Sequence, residues 1–496
     1  MKLRRFLKIL TLVLFICLAT GIGLFLYNAH HSYNISSGFT SLPLKFNPDD
    51  SSSSYNWSGA DITVYNGFVK GMQKGGKNGD SLVIRALSPL PVIDIKATNT
   101  PAKNISITLE NINPDFYAKS IEKGFNPVRT AVNTLKFAVA LNAGETIRIE
   151  PIQPNNTENS SYVVLGDSRD GYETFGLIID RVNGLNPVFV IDNGDLVFSG
   201  KPNQYRAFDQ MAARFSSTLC TTLGNHDIRS NGRDTYTKLY GPNYYSFNFG
   251  NNHFAFLDSS PGWSQKQAIS NEQYAWLERD LKKAQGKQIY VITHIPPEDP
   301  RSGIKPNEIP YYTDKVDQGN SFFEQKLDQY SENESMDHGF QDKKEAERFE
   351  KLMTEYKVNM VYLSHIHSYF DYNKNGVRYI ISGGAGAELL TKNSYYHFLI
   401  AKTDTKNSIT MVQLPSPANL LLKRYATSVT LFAEAMYKEN TVAVIFFITG
   451  LVLLALLLLI LLFVKLNHRL ALLWVLIKDA GKYTAKRFKE LFRENV

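Results

Sequence analysis

The sequence predicts an α/β protein in two folded parts, a small β-sandwich followed by a larger domain of sheet covered by helices, carried between two apolar segments. Three observations support this. Between residues 57 and 152, runs such as "NISITLE" and "ETIRIEP" alternate apolar and polar residues, the period of a half-buried strand. Between 160 and 414, nearly continuous apolar runs alternate with amphipathic stretches, the texture of strands buried on both faces beneath helices. Residues 9–29 and 441–464 carry no charge, and the second is dominated by leucine.

The 496 residues are 43% hydrophobic and 20% charged, a globular balance with no disordered signature. The formal charge of +7 is modest and gathered near the termini, which argues against a nucleic-acid-binding body, so no nucleic-acid partner is expected. Cys17 and Cys220 lie in different parts of the chain, and the fold does not lean on a disulfide.

Segment 1–30 begins with Lys2, Arg4, Arg5 and Lys8 before its apolar run, so it reads as a transmembrane anchor or as a cleaved signal. The anchor is favoured, because the run is long for a signal core and ends Tyr27-Asn28-Ala29-His30-His31 with no small-x-small site. A lipoprotein reading of Cys17 is poor with Ile16 before it. Segment 441–464 is long enough for a membrane helix across a core of about 30 Å. The tail, 465–496, has eight Lys/Arg against three Asp/Glu, which places it in the cytoplasm. If the N-terminal segment is retained, both termini are inside and everything between them is outside. The tail's "LALLWVLI" and the basic residues after it fit an amphipathic helix on anionic lipid or, equally, an ordinary solvated tail.

Residues 31–56, rich in Ser, Asn and Pro, read as a linker. The sandwich at 57–152 shows no cluster of metal-ligand or nucleophilic residues, so a structural or binding role is expected. In the larger domain a polar, Pro- and acid-rich insertion at 298–343 interrupts the alternation.

The chemistry gathers where apolar runs stop. Asp167 follows "VVLG", Asp195 follows "FVIDNG", Asn225-His226-Asp227 follow "TTLG", His294 follows "YVIT", and His365 and His367 follow "VYLS". The carboxyl ends of strands in open α/β sheets form the crevice where ligands bind. Two histidines at i and i+2 on a strand point to opposite faces, so "HIH" belongs at a strand end or turn if both serve one site.

The ordered blocks "GDSR" (166–169), "NGD" (193–195), "GNHD" (224–227), "THIP" (293–296) and "SHIHS" (364–368) resemble the calcineurin-like metallophosphoesterase superfamily over 160–414. "QYAWLERDL" and "YIISGGAGAEL" look like its purple acid phosphatase-related branch. The resemblance implies a four-layer α/β/β/α sandwich and two metal ions, divalent or trivalent, of Mn, Fe or Zn. It implies Asp195 as bridge, Asn225, His294 and His365 at the second metal, and Asp167 and His367 at the first. It further implies His226 as the acid for the leaving oxygen, oriented by Asp227, and attack by a metal-activated hydroxide. Paired ions and neutral imidazoles suit that chemistry.

Arg169 stands where the family usually has a histidine ligand, and a guanidinium has no lone pair to give a metal. Three readings stay open: Arg169 grips the substrate phosphate, Asp170 replaces the missing ligand, or the first site is weak or empty. The function expected is a membrane-anchored, extracytoplasmic, metal-dependent phosphoesterase with a phosphoester substrate. The alternative is a non-catalytic or weakly active metal-binding ectodomain.

Overall fold

The computed structural model describes residues 9, 12–23, 39–75, 79–117, 126–154, 157–260, 267–301, 338–389, 394–404, 406–415, 420–439 and 441–493. Residues 30–435 make one compact unit, and 1–29 with 436–496 make another.

The first part of the larger unit holds β1 (Phe39–Ser41), β2 (Ser52–Trp57), β3 (Ala60–Tyr65), β4 (Gly67–Gln73) and β5 (Ser81–Ala86). It continues with β6 (Val92–Ala97), β7 (Ala102–Glu110), β8 (Val128–Ala131), β9 (Thr134–Leu141) and β10 (Thr146–Ile149). They form a sheet in the order β1-β4-β5-β7-β9-β8 and a second in the order β10-β6-β3-β2. Alternate residues, among them Ile62 and Val64, Ile93 and Ile95, and Ile105, Ile107 and Leu109, are buried in one core. Strand alternation therefore produces the expected sandwich.

The linker expected at 31–56 differs from what forms. Phe39–Ser41 pairs with β4, and Ser52–Trp57 pairs with β3, so both belong to the sandwich. β2 is an edge strand, which needs few apolar side chains and tolerates the run of serines.

The second part holds β11 (Ser161–Leu165), β12 (Phe189–Asp192), β13 (Thr218–Thr221), β14 (Tyr245–Phe249), β15 (Asn252–Phe256) and β16 (Gln288–Ile292). β17 (Met360–Leu363), β18 (Tyr369–Lys374), β19 (Val377–Ser382), β20 (Tyr396–Lys402) and β21 (Ile409–Leu414) complete it. The orders are β13-β12-β11-β20-β21 and β14-β15-β16-β17-β19-β18. Tyr162, Val164, Ile191, Phe254, Tyr290 and Tyr362 fill the space between the sheets, and the hydroxyls of Tyr162 and Tyr362 meet at 2.8 Å. Val163 and Leu165 face the other way, under helices Tyr172–Leu185 and Pro202–Ala212. On the far side, Val291, Val361 and Leu363 lie under helices Asn271–Lys283 and Lys343–Glu355. The result is α/β/β/α, with both sheets mixed rather than parallel. Of the insertion at 298–343, residues 302–337 lie outside the described ones.

The sandwich is locked to the α/β part. Asn111, buried and at φ 62°, donates through Nδ2 to Ala86 O and Leu219 O and accepts the Leu219 N–H, each at 2.9 Å. Trp276 Nε1–H donates to Pro48 O at 3.0 Å, and Arg279 pairs with Asp49 at 2.9 Å. Asn111→Ala would strand the Leu219 amide and two carbonyls away from water, each an uncompensated polar group. We expect a stability loss of about 2–4 kcal/mol on this ground, read from the urea midpoint.

In the smaller unit, residues 12–23 are helical, and a second helix runs Thr441–Arg493. Among the described residues no helix is long and apolar enough to cross a membrane. The flanking membrane helices expected at 1–30 and 441–464 are therefore not supported among those residues. Both segments include positions outside the description, such as 10, 11 and 24–29 in the first and the side chains of 457, 460 and 461 in the second.

Candidate metal centre

Each block enters the centre from the carboxyl end of a strand. Beyond β11 and β12 the two Gly-Asp turns are stitched together: Asp167 N–H donates to Gly194 O at 3.0 Å, and Arg169 N–H donates to Asp195 O at 2.9 Å. Asp167, Asp195, His365 and His367 take φ values of 60°, 56°, 73° and 51°. That left-handed region is uncommon for residues with a Cβ, and such outliers cluster where geometry is imposed for function. The turn after β17 also resolves the spacing of "HIH". Having left the strand, both imidazoles face one site instead of opposite faces of a sheet.

Two sets of side chains converge. Ligand atoms of Asp195, His294 and His365 lie within 4.8 Å of one another, as do those of Asp167, Asp195 and His367. Asp195 is common to both, the position a bridging carboxylate needs. Asn225 joins the first set, its Oδ1 3.3 Å from His294 Nε2. His294 Nε2 lies 3.4 Å from Asp195 Oδ1, and His367 Nε2 lies 3.6 Å from Asp167 Oδ1. Asp170 is in neither set.

The far nitrogens fix the rings. His294 Nδ1 sits 2.8 Å from Asn193 O and His367 Nδ1 sits 2.6 Å from Glu388 O, so each donates there and turns Nε2 inward. Second partners of this kind orient metal-binding imidazoles. Asp167 Oδ2 accepts the Ser364 hydroxyl at 2.6 Å and the His365 N–H at 2.8 Å. Its Oδ1, and Oδ2 of Asp195, are buried with no hydrogen-bond partner among the described atoms. An unpaired carboxylate oxygen out of water is costly. A cation between these atoms removes that cost, so the donor set of carboxylate, amide and imidazole fits divalent ions.

Burial and neighbouring charge set the protonation of the metal-free cluster. Burial pushes the Asp167 carboxyl up, against the pull of His294. Burial acts the same way on Asp195, but His294, His226 and Arg169 outweigh it and hold its pKa low. Burial lowers His365 and His367, keeping their imidazoles neutral, the form that ligates.

His226 stands at the rim. Its N–H donates to Asp195 Oδ1 at 2.9 Å, its Nδ1 lies 2.6 Å from Phe198 O, and its Nε2 is 4.0 Å from Asp195 Oδ2. The expectation that Asp227 orients this imidazole is corrected. Asp227 is buried and accepts the Val197 N–H at 3.0 Å and the Gly224 N–H at 2.8 Å. It ties the third block to the second, and Phe198 O takes the orienting place.

Arg169 is buried and paired. Its Nη1 donates to Glu388 Oε1 at 3.0 Å, and its Cζ lies 4.7 Å from the centre of the Phe198 ring. Gly224 is the block position with least room, since a Cβ there would overlap Asp195 Oδ1. Gly224→Ala is expected to weaken metal affinity about 10-fold or more by displacing that carboxylate, as equilibrium dialysis would show.

Three residues beside the site take no role from the sequence, although Ser364 and Glu388 lie within "SHIHS" and "YIISGGAGAEL". Ser364 and Glu388 act through the contacts above. His338, at the far end of the insertion, places its ring 5.2 Å from that of His365.

Residues 161–369 match the family described as Calcineurin-like phosphoesterase. The chain carries a calcineurin-like phosphoesterase domain. The class expected, a metal-dependent phosphoric ester hydrolase, holds at the level of this domain with its Asp/His cluster. The glycerophosphodiester phosphodiesterase GpdQ of Enterobacter lignolyticus is 29% identical over 129 residues, covering 24% of this chain and 46% of that protein. A probable glycerophosphodiester phosphodiesterase GpdQ of Arcobacter nitrofigilis is 26% identical over 130 residues, covering 24% and 45%. The chain thus spans about half the length of the curated relatives it matches. Among solved structures, purple acid phosphatase PPD1 of yellow lupin aligns with TM-score 0.37 and 14% identity over 75% of this chain and 74% of that one. A dimetal phosphatase of Danio rerio aligns with TM-score 0.36 and 11% identity over 51% and 95%. Likeness at that level specifies nothing beyond what the chain's own geometry gives.

Proposed function

We propose that this protein hydrolyses phosphoesters, phosphodiesters ahead of monoesters, at an extracytoplasmic membrane surface. The observation that carries the hydrolase reading is the pair of buried, unpartnered carboxylate oxygens, Asp167 Oδ1 and Asp195 Oδ2, facing His294, His365 and His367. Asn225, His294 and His365 would hold one ion, Asp167 and His367 the other, and Asp195 both. When bound, such ions supply Lewis acidity to the phosphoryl oxygens and bring the pKa of a water toward neutrality. His226, whose Nδ1–H is held by Phe198 O, would direct Nε2 toward the leaving oxygen and, as the imidazolium, give up its Nε2 proton to it. The names of both curated relatives favour diesters.

The membrane part rests on the sequence and on exposed apolar side chains. Thr441 to Val464 is an uncharged stretch inside the helix Thr441–Arg493; the membrane reading rests on the sequence of that stretch, since among the described residues no helix is long and apolar enough to cross a membrane. Phe446, Leu453, Leu459 and Leu462 are exposed on it. A Cβ on Gly450 would meet Leu18 Cδ1 at 2.8 Å, so the N-terminal helix touches this one, as a retained anchor would. The basic tail then sets the orientation.

The test strips the full chain of metal, reloads it with Mn, Zn or Fe, and compares a chromogenic diester with a monoester. Faster metal-dependent diester turnover supports the reading, and turnover of neither ester sinks it. Resistance of the chain to alkaline extraction from membranes checks the anchoring separately.

A further inference from the structure

An arginine beside a site that would hold two metal cations poses an electrostatic problem. Arg169 has only 4% of its side chain exposed and stacks on Phe198, so water does little to screen its charge. That charge acts on Asp167, Asp195, His226 and His367 alike, which places it within reach of the whole Asp167, Asp195 and His367 set. Its Nε–H has no partner among the described atoms. Among the described residues, the Glu388 carboxylate is the ion-pair partner that holds the guanidinium away from Asp167 and Asp195, beside its stacking on Phe198.

Glu388 acts twice. Its main-chain oxygen accepts the His367 Nδ1–H at 2.6 Å, turning His367 Nε2 toward Asp167. Its carboxylate takes Arg169 Nη1 at 3.0 Å and neutralises it. The loop carrying Glu388 is fastened to the first block, with Ala385 N–H on Gly166 O at 3.0 Å and Ala387 N–H on Asp167 O at 2.8 Å. One residue therefore orients a ligand through its backbone and restrains a competing cation through its side chain.

We propose that Glu388 is a positioning residue whose carboxylate, by holding and neutralising Arg169, allows an ion to bind among Asp167, Asp195 and His367 despite the arginine in the first block. This rests on the two-ion reading above. Without the carboxylate, the guanidinium competes with the ion for the open oxygens of Asp167 and Asp195. With both Arg169 and Glu388 neutral, competitor and restraint vanish together.

The experiment counts Mn2+ bound to the full-length chain by equilibrium dialysis and elemental analysis, for wild type, Glu388→Gln, Arg169→Gln and the double variant. The wild type should bind two ions. Glu388→Gln should weaken the looser ion about 10- to 100-fold, the usual effect of an outer-shell partner, and leave the tighter one unchanged. Arg169→Gln and the double variant should both hold two ions near wild-type affinity. The backbone contact to His367 survives every substitution, and melting curves of the metal-free variants verify folding. Unchanged affinities in Glu388→Gln, or failure of the double variant to recover, overturn the role of Glu388 while leaving the two-ion reading intact. A wild type that binds no Mn2+ removes both.

Discussion

Replacing Asp195 with asparagine is expected to abolish metal-dependent hydrolysis, with a fall in kcat/KM of roughly 1,000-fold or more, about 4 kcal/mol of transition-state stabilisation. Asp195 is the side chain shared by both converging sets. The substitution keeps its shape and the Oδ1 that accepts the His226 N–H at 2.9 Å. What it removes is the negative charge and the second donor oxygen, Oδ2, now buried without a partner. Both ions should therefore be lost or weakened while the fold remains. Burial of that charge is costly in the metal-free protein, although His294, His226 and Arg169 offset it. Because those groups outweigh the burial cost and hold the Asp195 pKa low, Asp195→Asn should also lower stability without metal, and melting with and without Mn2+ separates that loss from the loss of the ions. A variant retaining full activity would show that the shared carboxylate does not bridge.

His226→Ala should slow hydrolysis of esters with poor leaving groups by about 100- to 10,000-fold, the range for loss of a positioned general acid, and leave metal content unchanged. The separation follows from position. His226 lies outside both converging sets, held at the rim by Phe198 O, 4.0 Å from Asp195 Oδ2. A nitrophenolate leaves without a proton, so chromogenic esters should show a much smaller loss than alkyl esters. An equal loss for both, or a loss of bound metal, would assign His226 to the ion rather than to the leaving group.

Much of this was legible in the sequence because the fold couples strand ends to the site. Each chemistry-bearing block follows an apolar run directly, and buried strands deliver those residues to one rim. Alternation in β9 and β10 marked the sandwich for the same physical reason, one face buried and the other wetter. What escaped were features decided by loops meeting across the fold. Asp227 and His226 are neighbours in sequence, yet the tight turn points the carboxylate at Val197 and Gly224 amides and the imidazole at Phe198. Arg169 and Glu388 are 219 positions apart, and a glutamate after a glycine-rich turn has no pattern that announces a partner. β2 escaped because an edge strand can be built from serine and asparagine, whose composition alone reads as linker.

The most direct test of the metal centre follows bound Mn2+ and phosphodiester turnover on the same samples as the metal-free full chain is titrated. Turnover should rise with ion binding, level off at two ions per chain, and disappear in Asp195→Asn. Hydrolysis that ignores the ion count, or that survives in Asp195→Asn, would contradict a reaction carried out at this centre.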